Sequence, residues 1–85
     1  MPSLPTPKVI TVYGAEWCAD CRRARRYLDA TVTPYVWIDV AAEAGVRAML
    51  DAAGYRAIPV VAIPTGQVLV EPSDDELANV IGTAA

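Results

Sequence analysis

Two sulfurs carry the most chemistry in this chain. Cys18 and Cys21 stand in the run Trp17-Cys18-Ala19-Asp20-Cys21; they are the only cysteines, and the 85 residues contain no histidine. A C-x-x-C pair can supply half of a metal site, form a structural cross-link, or cycle between dithiol and disulfide. Zinc takes four cysteine or histidine ligands, or three plus water, so zinc or an iron–sulfur cluster here requires a second chain or carboxylate ligands. A structural disulfide across so short a loop contributes only about 2 kcal/mol by loop-closure entropy, and a cytosolic reducing poise tends to open it. Redox cycling fits the spacing better. At i and i+3 on a first helical turn the Cα atoms lie about 5–5.5 Å apart, inside the disulfide range, so both states form with little backbone movement. Cys18, at the helix start, faces unpaired N–H groups and the positive end of the dipole, which favour a thiolate. Cys21, one turn inside, is expected to be more buried and to titrate higher. Unequal thiols suit a two-step exchange in which Cys18 attacks a disulfide and Cys21 resolves the mixed disulfide.

The flanking sequence supplies the elements that hold this pair. Residues 8–13 (Lys-Val-Ile-Thr-Val-Tyr) are β-branched and almost continuously apolar, which predicts a buried strand ended by Gly14. Cys21, Ala24, Tyr27 and Leu28 make one apolar face of a helix over 19–30. Residues 31–34 break it, and 35–39 read as a second strand. Val46, Met49 and Leu50 share a face of a helix over 43–53, with Glu43–Arg47 and Arg47–Asp51 at supportive spacing and Gly54 as its stop. Residues 60–63 and 67–71 read as short strands around Pro64-Thr65-Gly66, whose glycine suits a hairpin turn. Ser73 followed by Glu76 is a capping-box spacing that opens a last helix through Ile81. The order is β-α-β-α-β-β-α, an α/β class. A right-handed crossover should make the first two strands parallel, and the hairpin adds antiparallel ones to give a four-stranded mixed sheet flanked by helices.

Composition bounds the function classes. Eighty-five residues suffice for one domain, since a domain usually takes about 100–200 residues. A chain 54% hydrophobic and 20% charged is too apolar to be disordered. The absence of histidine removes Ser-His-Asp and Cys-His catalysis. A net charge of −3 argues against nucleic-acid binding, which normally shows a basic balance. Residues 1–7, rich in proline and without an apolar run, are expected to be a flexible tail before a single domain at 8–85; they do not resemble a secretory signal. No window approaches the roughly 20 apolar residues of a membrane helix. A cytoplasmic monomer without membrane contact is the expectation.

With these residues in view, the chain resembles the glutaredoxin branch of the thioredoxin superfamily from Val9 to Ile81. The resemblance rests on the strand followed by Trp17-Cys18-x-x-Cys21, on Tyr35-Val36-Trp37-Ile38-Asp39 at the second strand, and on Arg56-Ala57-Ile58-Pro59. It implies a thioredoxin fold of the glutaredoxin type and thiol–disulfide oxidoreductase activity. It also implies a cis Ile58–Pro59 bond beside the cysteines, with the Ile58 backbone pairing with a bound thiol or substrate. Gly14-Ala15-Glu16-Trp17-Cys18 looks locally like a thioredoxin, yet Val12 stands where thioredoxins carry a buried aspartate. The lysine that glutaredoxins often have before the motif is missing. Their Gly-Gly-x-Asp-Asp segment appears as Glu71-Pro72-Ser73-Asp74-Asp75, keeping the acidic pair and losing both glycines. Actinobacterial mycoredoxins, which use mycothiol, resemble the chain in length and in the lead into the last helix.

Placement beside the cysteines and the resemblance together name further candidates for substrate binding. Trp17 precedes the nucleophile and could shield or contact substrate. Arg22 lies one turn beyond Cys18 and could meet an anion, although the run Arg22, Arg23, Arg25, Arg26 also reads as a solvated helix face. Arg56, Ile58 and Pro59 belong to the proline loop. Asp74 and Asp75 fit both substrate contacts and simple capping charges. Trp37 reads as packing between strand and helix. No bound cofactor or metal is implied; mycothiol or glutathione would be the reductant, and a protein disulfide or a mixed disulfide the substrate. Two alternatives stay open: a redoxin serving ribonucleotide reductase and recharged by a flavoprotein thioredoxin reductase, and a non-catalytic module holding a metal or cluster between two protomers.

Overall fold

The computed structural model describes residues 4–84, with side chains through Ile81. β1 (Ile10–Gly14) is buried at every position, which explains why its sequence shows no polar alternation. It occupies the middle of the sheet. β2 (Tyr35–Asp39) pairs with it in parallel, from Ile10 opposite Tyr35 to Gly14 opposite Asp39. β3 (Val60–Ala62) pairs with its other side antiparallel, and β4 (Val68–Val70) closes the order β2-β1-β3-β4. α1 (Ala19–Ala30) makes the crossover from β1 to β2, α2 (Ala44–Ala52) leads into β3, and α3 (Asp74–Ala84) follows β4. The expected element order and mixed four-stranded sheet are therefore present.

Strand alternation divides the apolar residues between two faces. Ile10, Val12, Val61 and Ile63 point to the side covered by Ala24 and Leu28 of α1 and by Leu77 and Val80 of α3. Tyr13, Val60 and Ala62 point to the other side, where Leu50 of α2 packs. Leu28, Leu50 and Leu77 are essentially without exposure, and each such side chain contributes about 1.5–3 kcal/mol of burial. Leu4 also enters the second cluster and is only 8% exposed. A loose tail thus does not describe this residue, while residues 1–3 lie outside the described part. One helix alone leaves room on that face, and an apolar side chain from the N-terminal segment fills it.

Boundaries differ from expectation where the backbone turns. β1 starts at Ile10 because Lys8 and Val9 are exposed bends, and it retains Gly14, whose carbonyl accepts the Val40 N–H at 2.9 Å. The hairpin strands are shorter than expected: Gly66 takes φ +96 in the turn, and Glu71 leaves extended geometry at φ +48. α2 begins at Ala44 with Glu43 as a cap lacking a side-chain bond, and Arg47 pairs with Asp51 at 3.7 Å, not with Glu43. Two helices end in the same two-bond motif. After α2, Tyr55 N–H reaches Leu50 O at 2.8 Å and Gly54 N–H reaches Asp51 O at 3.0 Å, with Gly54 at φ +90. After α1, Thr33 N–H reaches Leu28 O at 2.9 Å and Val32 N–H reaches Asp29 O at 3.1 Å, but a valine occupies the left-handed position at φ +54. The capping box at α3 forms in both directions, with Ser73 N–H donating to Glu76 Oε1 at 3.0 Å and Glu76 N–H to Ser73 Oγ at 3.1 Å.

Candidate active site

The sheet delivers Cys18 through a tight turn. After β1 ends at Gly14, Cys18 N–H bonds to Ala15 O at 3.2 Å and the chain enters α1 at once. Cys18 is itself the cap of that helix, extended at φ −84 and ψ 117, and its Sγ accepts the Cys21 N–H at 3.3 Å. A sulfur thus takes the place of the usual serine or aspartate oxygen at a helix start. Cys18 is half-buried and Cys21 fully buried, both as free thiols.

Burial first, and then the bond to Cys18, pushes the Cys21 thiol from 9.0 up to about 12. The expected difference in burial between the two sulfurs is present. Gly14 sets the depth of Cys21. A Cβ at position 14 would lie 2.6 Å from Cys21 Sγ and 2.8 and 2.9 Å from the Cη2 and Cζ3 atoms of Trp37. Cys21 Sγ and the Trp37 ring from β2 therefore both close on Gly14, while the Arg25 guanidinium covers the ring at 4.1 Å from the centroid. Glu16 in turn holds Arg25 at 3.0 Å.

The loop before β3 faces the thiol. The Ile58–Pro59 bond is cis, and Ile58 O lies 4.0 Å from Cys18 Sγ. Pro59 is buried, and its carbonyl accepts the Glu71 N–H at 2.8 Å. Arg47 of α2 donates to Arg56 O at 3.2 Å, tying the loop from the other side. Together Trp17, Cys18, Ala19, Asp20, Arg47, Arg56, Ala57, Ile58 and Glu71 line an open cleft of about 530 Å³. Two arginines, Arg47 and Arg56, and two acidic residues, Asp20 and Glu71, line the same cleft.

Of the residues proposed from sequence, Trp17, Arg56 and Ile58 meet Cys18 in this cleft, and Pro59 lies buried beside it. Trp17 is 73% exposed. Arg22 does not line the cleft, because its Nη1 donates to Glu16 O at 2.8 Å. Asp74 and Asp75 are not brought there either. Asp74 is taken by Arg23 at 2.7 Å, and both aspartates border a neighbouring depression with Arg23, Glu71 and Ser73. Arg23 also donates to Pro72 O at 2.7 Å, clamping the segment before α3 onto α1.

Sequence reasoning missed Arg47 and Glu71. Arg47 had been accounted for by its spacing to Asp51. Glu71 was legible only as a non-glycine in a segment where relatives carry glycine, and its positive φ costs an L-residue about 1–2 kcal/mol. Among the described residues, no three His, Cys, Asp or Glu side chains converge as a metal site, and no helix is long and apolar enough to cross a membrane. What the arrangement can do is exchange thiols: an accessible sulfur opens on a cleft, and a second sulfur waits one turn beneath it.

Comparison with known proteins gives this geometry relatives. The Glutaredoxin family profile matches residues 10–69. No curated protein matches the chain in sequence. Among solved structures, a mutant of the thioredoxin-like protein BC3987 superposes with a TM-score of 0.78 at 23% identity, over 89% of this chain and 97% of that one. The Escherichia coli NrdH-redoxin, a glutaredoxin-like protein with a thioredoxin-like activity profile, gives 0.76 at 24% identity, over 84% and 92%. The buckwheat glutaredoxin–glutathione complex gives 0.65 at 22% identity, over 87% and 68%. At these identities the likeness establishes the fold, which is the thioredoxin fold expected from the sequence.

Proposed function

The chain belongs to the glutaredoxin family, and on that premise we propose that it is a thiol–disulfide oxidoreductase acting on protein disulfides or protein–small-thiol mixed disulfides. The observation that carries this reading is the asymmetry of the sulfurs: Cys18 opens on the cleft, and Cys21 lies fully buried with its N–H on Cys18 Sγ. In the proposed cycle the Cys18 thiolate attacks the small-thiol sulfur of the mixed disulfide. That disulfide breaks, the protein leaves as a thiol, and Cys18 carries the small thiol. Cys21 then attacks Cys18 Sγ, giving its proton to the departing small thiol and leaving a Cys18–Cys21 disulfide. Two small-thiol molecules return two electrons and two protons, and leave as their own disulfide; a flavoprotein reductase can supply the same two electrons.

The small thiol we assign is mycothiol in preference to glutathione. Glutathione carries two carboxylates. Ala15-Glu16 offers no base before the motif, Pro72 has no N–H to donate, and Glu71 brings a like charge into the cleft. Mycothiol has a sugar–inositol body and is less dependent on those contacts. Arg47 and Arg56 remain as cations, so glutathione turnover is reduced and not abolished.

The test has two parts. Cys21→Ser should accumulate a mixed disulfide at Cys18, while Cys18→Ser should remain unreacted, as read by intact-protein mass spectrometry. Turnover coupled in parallel to mycothiol, glutathione and thioredoxin reductase should be fastest with mycothiol. Adduct formation at Cys21 with Cys18 spared would refute the assignment of roles. Glutathione turnover equal to or above mycothiol turnover would return the protein to the general glutaredoxins, and turnover with thioredoxin reductase alone would favour the redoxin alternative.

A further inference from the structure

Glu71 stands out among the cleft residues for what it lacks. The ion pairs of the described residues engage Asp20 and Asp74 with Arg23, Glu16 with Arg25, and Asp51 with Arg47. Glu71 has no cationic partner among them, although it lines the same cleft as Cys18 and also borders the depression beside it. Arg56, in the same cleft, is likewise outside every ion pair, so the cleft presents an unpaired anion and an unpaired cation around one sulfur.

Its backbone is held in place. Glu71 N–H is bonded to Pro59 O at 2.8 Å, the following Pro72 is buried, and Pro72 O is clamped by Arg23 at 2.7 Å. The residue therefore cannot swing away from the proline loop without breaking two bonds. It also keeps a left-handed φ of +48, which glycine would adopt without penalty. A charged residue is thus anchored by its backbone where the smallest and most permissive residue would be easier to place.

We propose that Glu71 is a specificity-determining residue that selects disulfide substrates bearing a cationic side chain next to the reacting cysteine, on the side of the cysteine that lies along the β4–α3 segment. This deepens the oxidoreductase reading and rests on it. A substrate lysine or arginine there completes the missing ion pair, and a glutamate there meets a like charge. Arg56 gives the cleft the opposite preference on its own side, so the substrate is oriented as well as selected.

The experiment uses four synthetic peptides, each with one cysteine in a mixed disulfide with 2-mercaptoethanol. Lysine or glutamate is placed immediately before or immediately after the cysteine, and kcat/KM is measured for the wild type, Glu71→Gln and Arg56→Gln. Glu71→Gln removes the charge while keeping the side-chain size and the left-handed backbone. On one side of the cysteine the wild type should prefer lysine to glutamate by about two- to fivefold, the range of an exposed ion pair. That preference should vanish in Glu71→Gln, persist in Arg56→Gln, and shrink in high salt. An equal change for all four peptides in Glu71→Gln, or no change in any, overturns the proposal while leaving the oxidoreductase reading intact. Absence of wild-type turnover on all four peptides takes down both.

Discussion

Substituting Gly14 by alanine tests how tightly the buried sulfur is held. The added methyl would stand 2.6 Å from Cys21 Sγ and 2.8–2.9 Å from two ring carbons of Trp37, against ordinary contact at 3.4–4 Å. Both the sulfur and the indole must retreat, by about 0.6–1.4 Å, since packed atoms rest about 3.5–4 Å apart. Neither has free space: Cys21 is fully buried in α1, and the indole is capped by Arg25. Overpacking of this kind costs about 1–3 kcal/mol. The stiffer unfolded chain returns about 0.4–1 kcal/mol, because the Gly14 backbone is not in the left-handed region. The net expectation is a loss of about 1–2 kcal/mol, read as a fall in the urea midpoint of the reduced protein at unchanged slope. Disulfide closure between Cys18 and Cys21 should slow, measured by quenched alkylation and mass spectrometry, because the displaced Sγ loses its alignment. Combining Gly14→Ala with Trp37→Leu should give a smaller loss than the two single effects added, since the leucine removes two of the three clashes. A Gly14→Ala protein within 0.5 kcal/mol of the wild type that also closes its disulfide at the wild-type rate would refute this account.

Three further outcomes follow from the same geometry. Val32→Gly should raise stability by about 1 kcal/mol, because Val32 is 88% exposed and occupies the left-handed cap of α1; an unchanged or lower thermal midpoint would contradict the strain. The Cys21 thiol is raised from 9.0 to about 12, so the folded state holds that proton more tightly than the unfolded state does. Its contribution is full below pH 9 and is lost as pH rises from about 9 to about 12; urea unfolding of the reduced protein should show this decline, and Cys21→Ala should flatten it. Buried Tyr13, also raised, leaves a residual slope in that variant. Leu4→Ala should cost about 2 kcal/mol in urea unfolding through loss of its place against α2, whereas a tail without contacts would show no effect.

How much of this was legible before the coordinates depended on how local the physics was. The capping box at Ser73 and Glu76, the glycine cap at Gly54 and the placing of Cys18 on the helix start are decided within a few residues, and the pattern carried them. The two-faced core followed from strand period, and the cis bond at Pro59 from resemblance. The cleft did not. Arg47 and Glu71 join Asp20 and Arg56 there only because the chain returns through β3 beside β1, and no spacing rule reports that. Arg22 looked available from its turn of helix, yet its guanidinium is bonded to the Glu16 carbonyl. Asp74 looked like a ligand contact until Arg23 claimed it. Leu4 sat among prolines, and its burial depends on the face that a single short helix fails to cover.

The middle position of β1 has a consequence for synthesis of the chain. Its partner in β2 follows within about 25 residues, joined by α1, so the parallel pair can assemble early as the polypeptide emerges. Its partner in β3 lies around Val61, and until those residues emerge the other edge of Thr11, Val12 and Tyr13 has nothing to bond. At elongation rates of about 5–20 residues per second, the wait between Asp39 and Ala62 lasts about 1–5 s. During that interval an apolar strand edge, which in the finished protein is buried at every position, is open to any other unpaired strand near the ribosome.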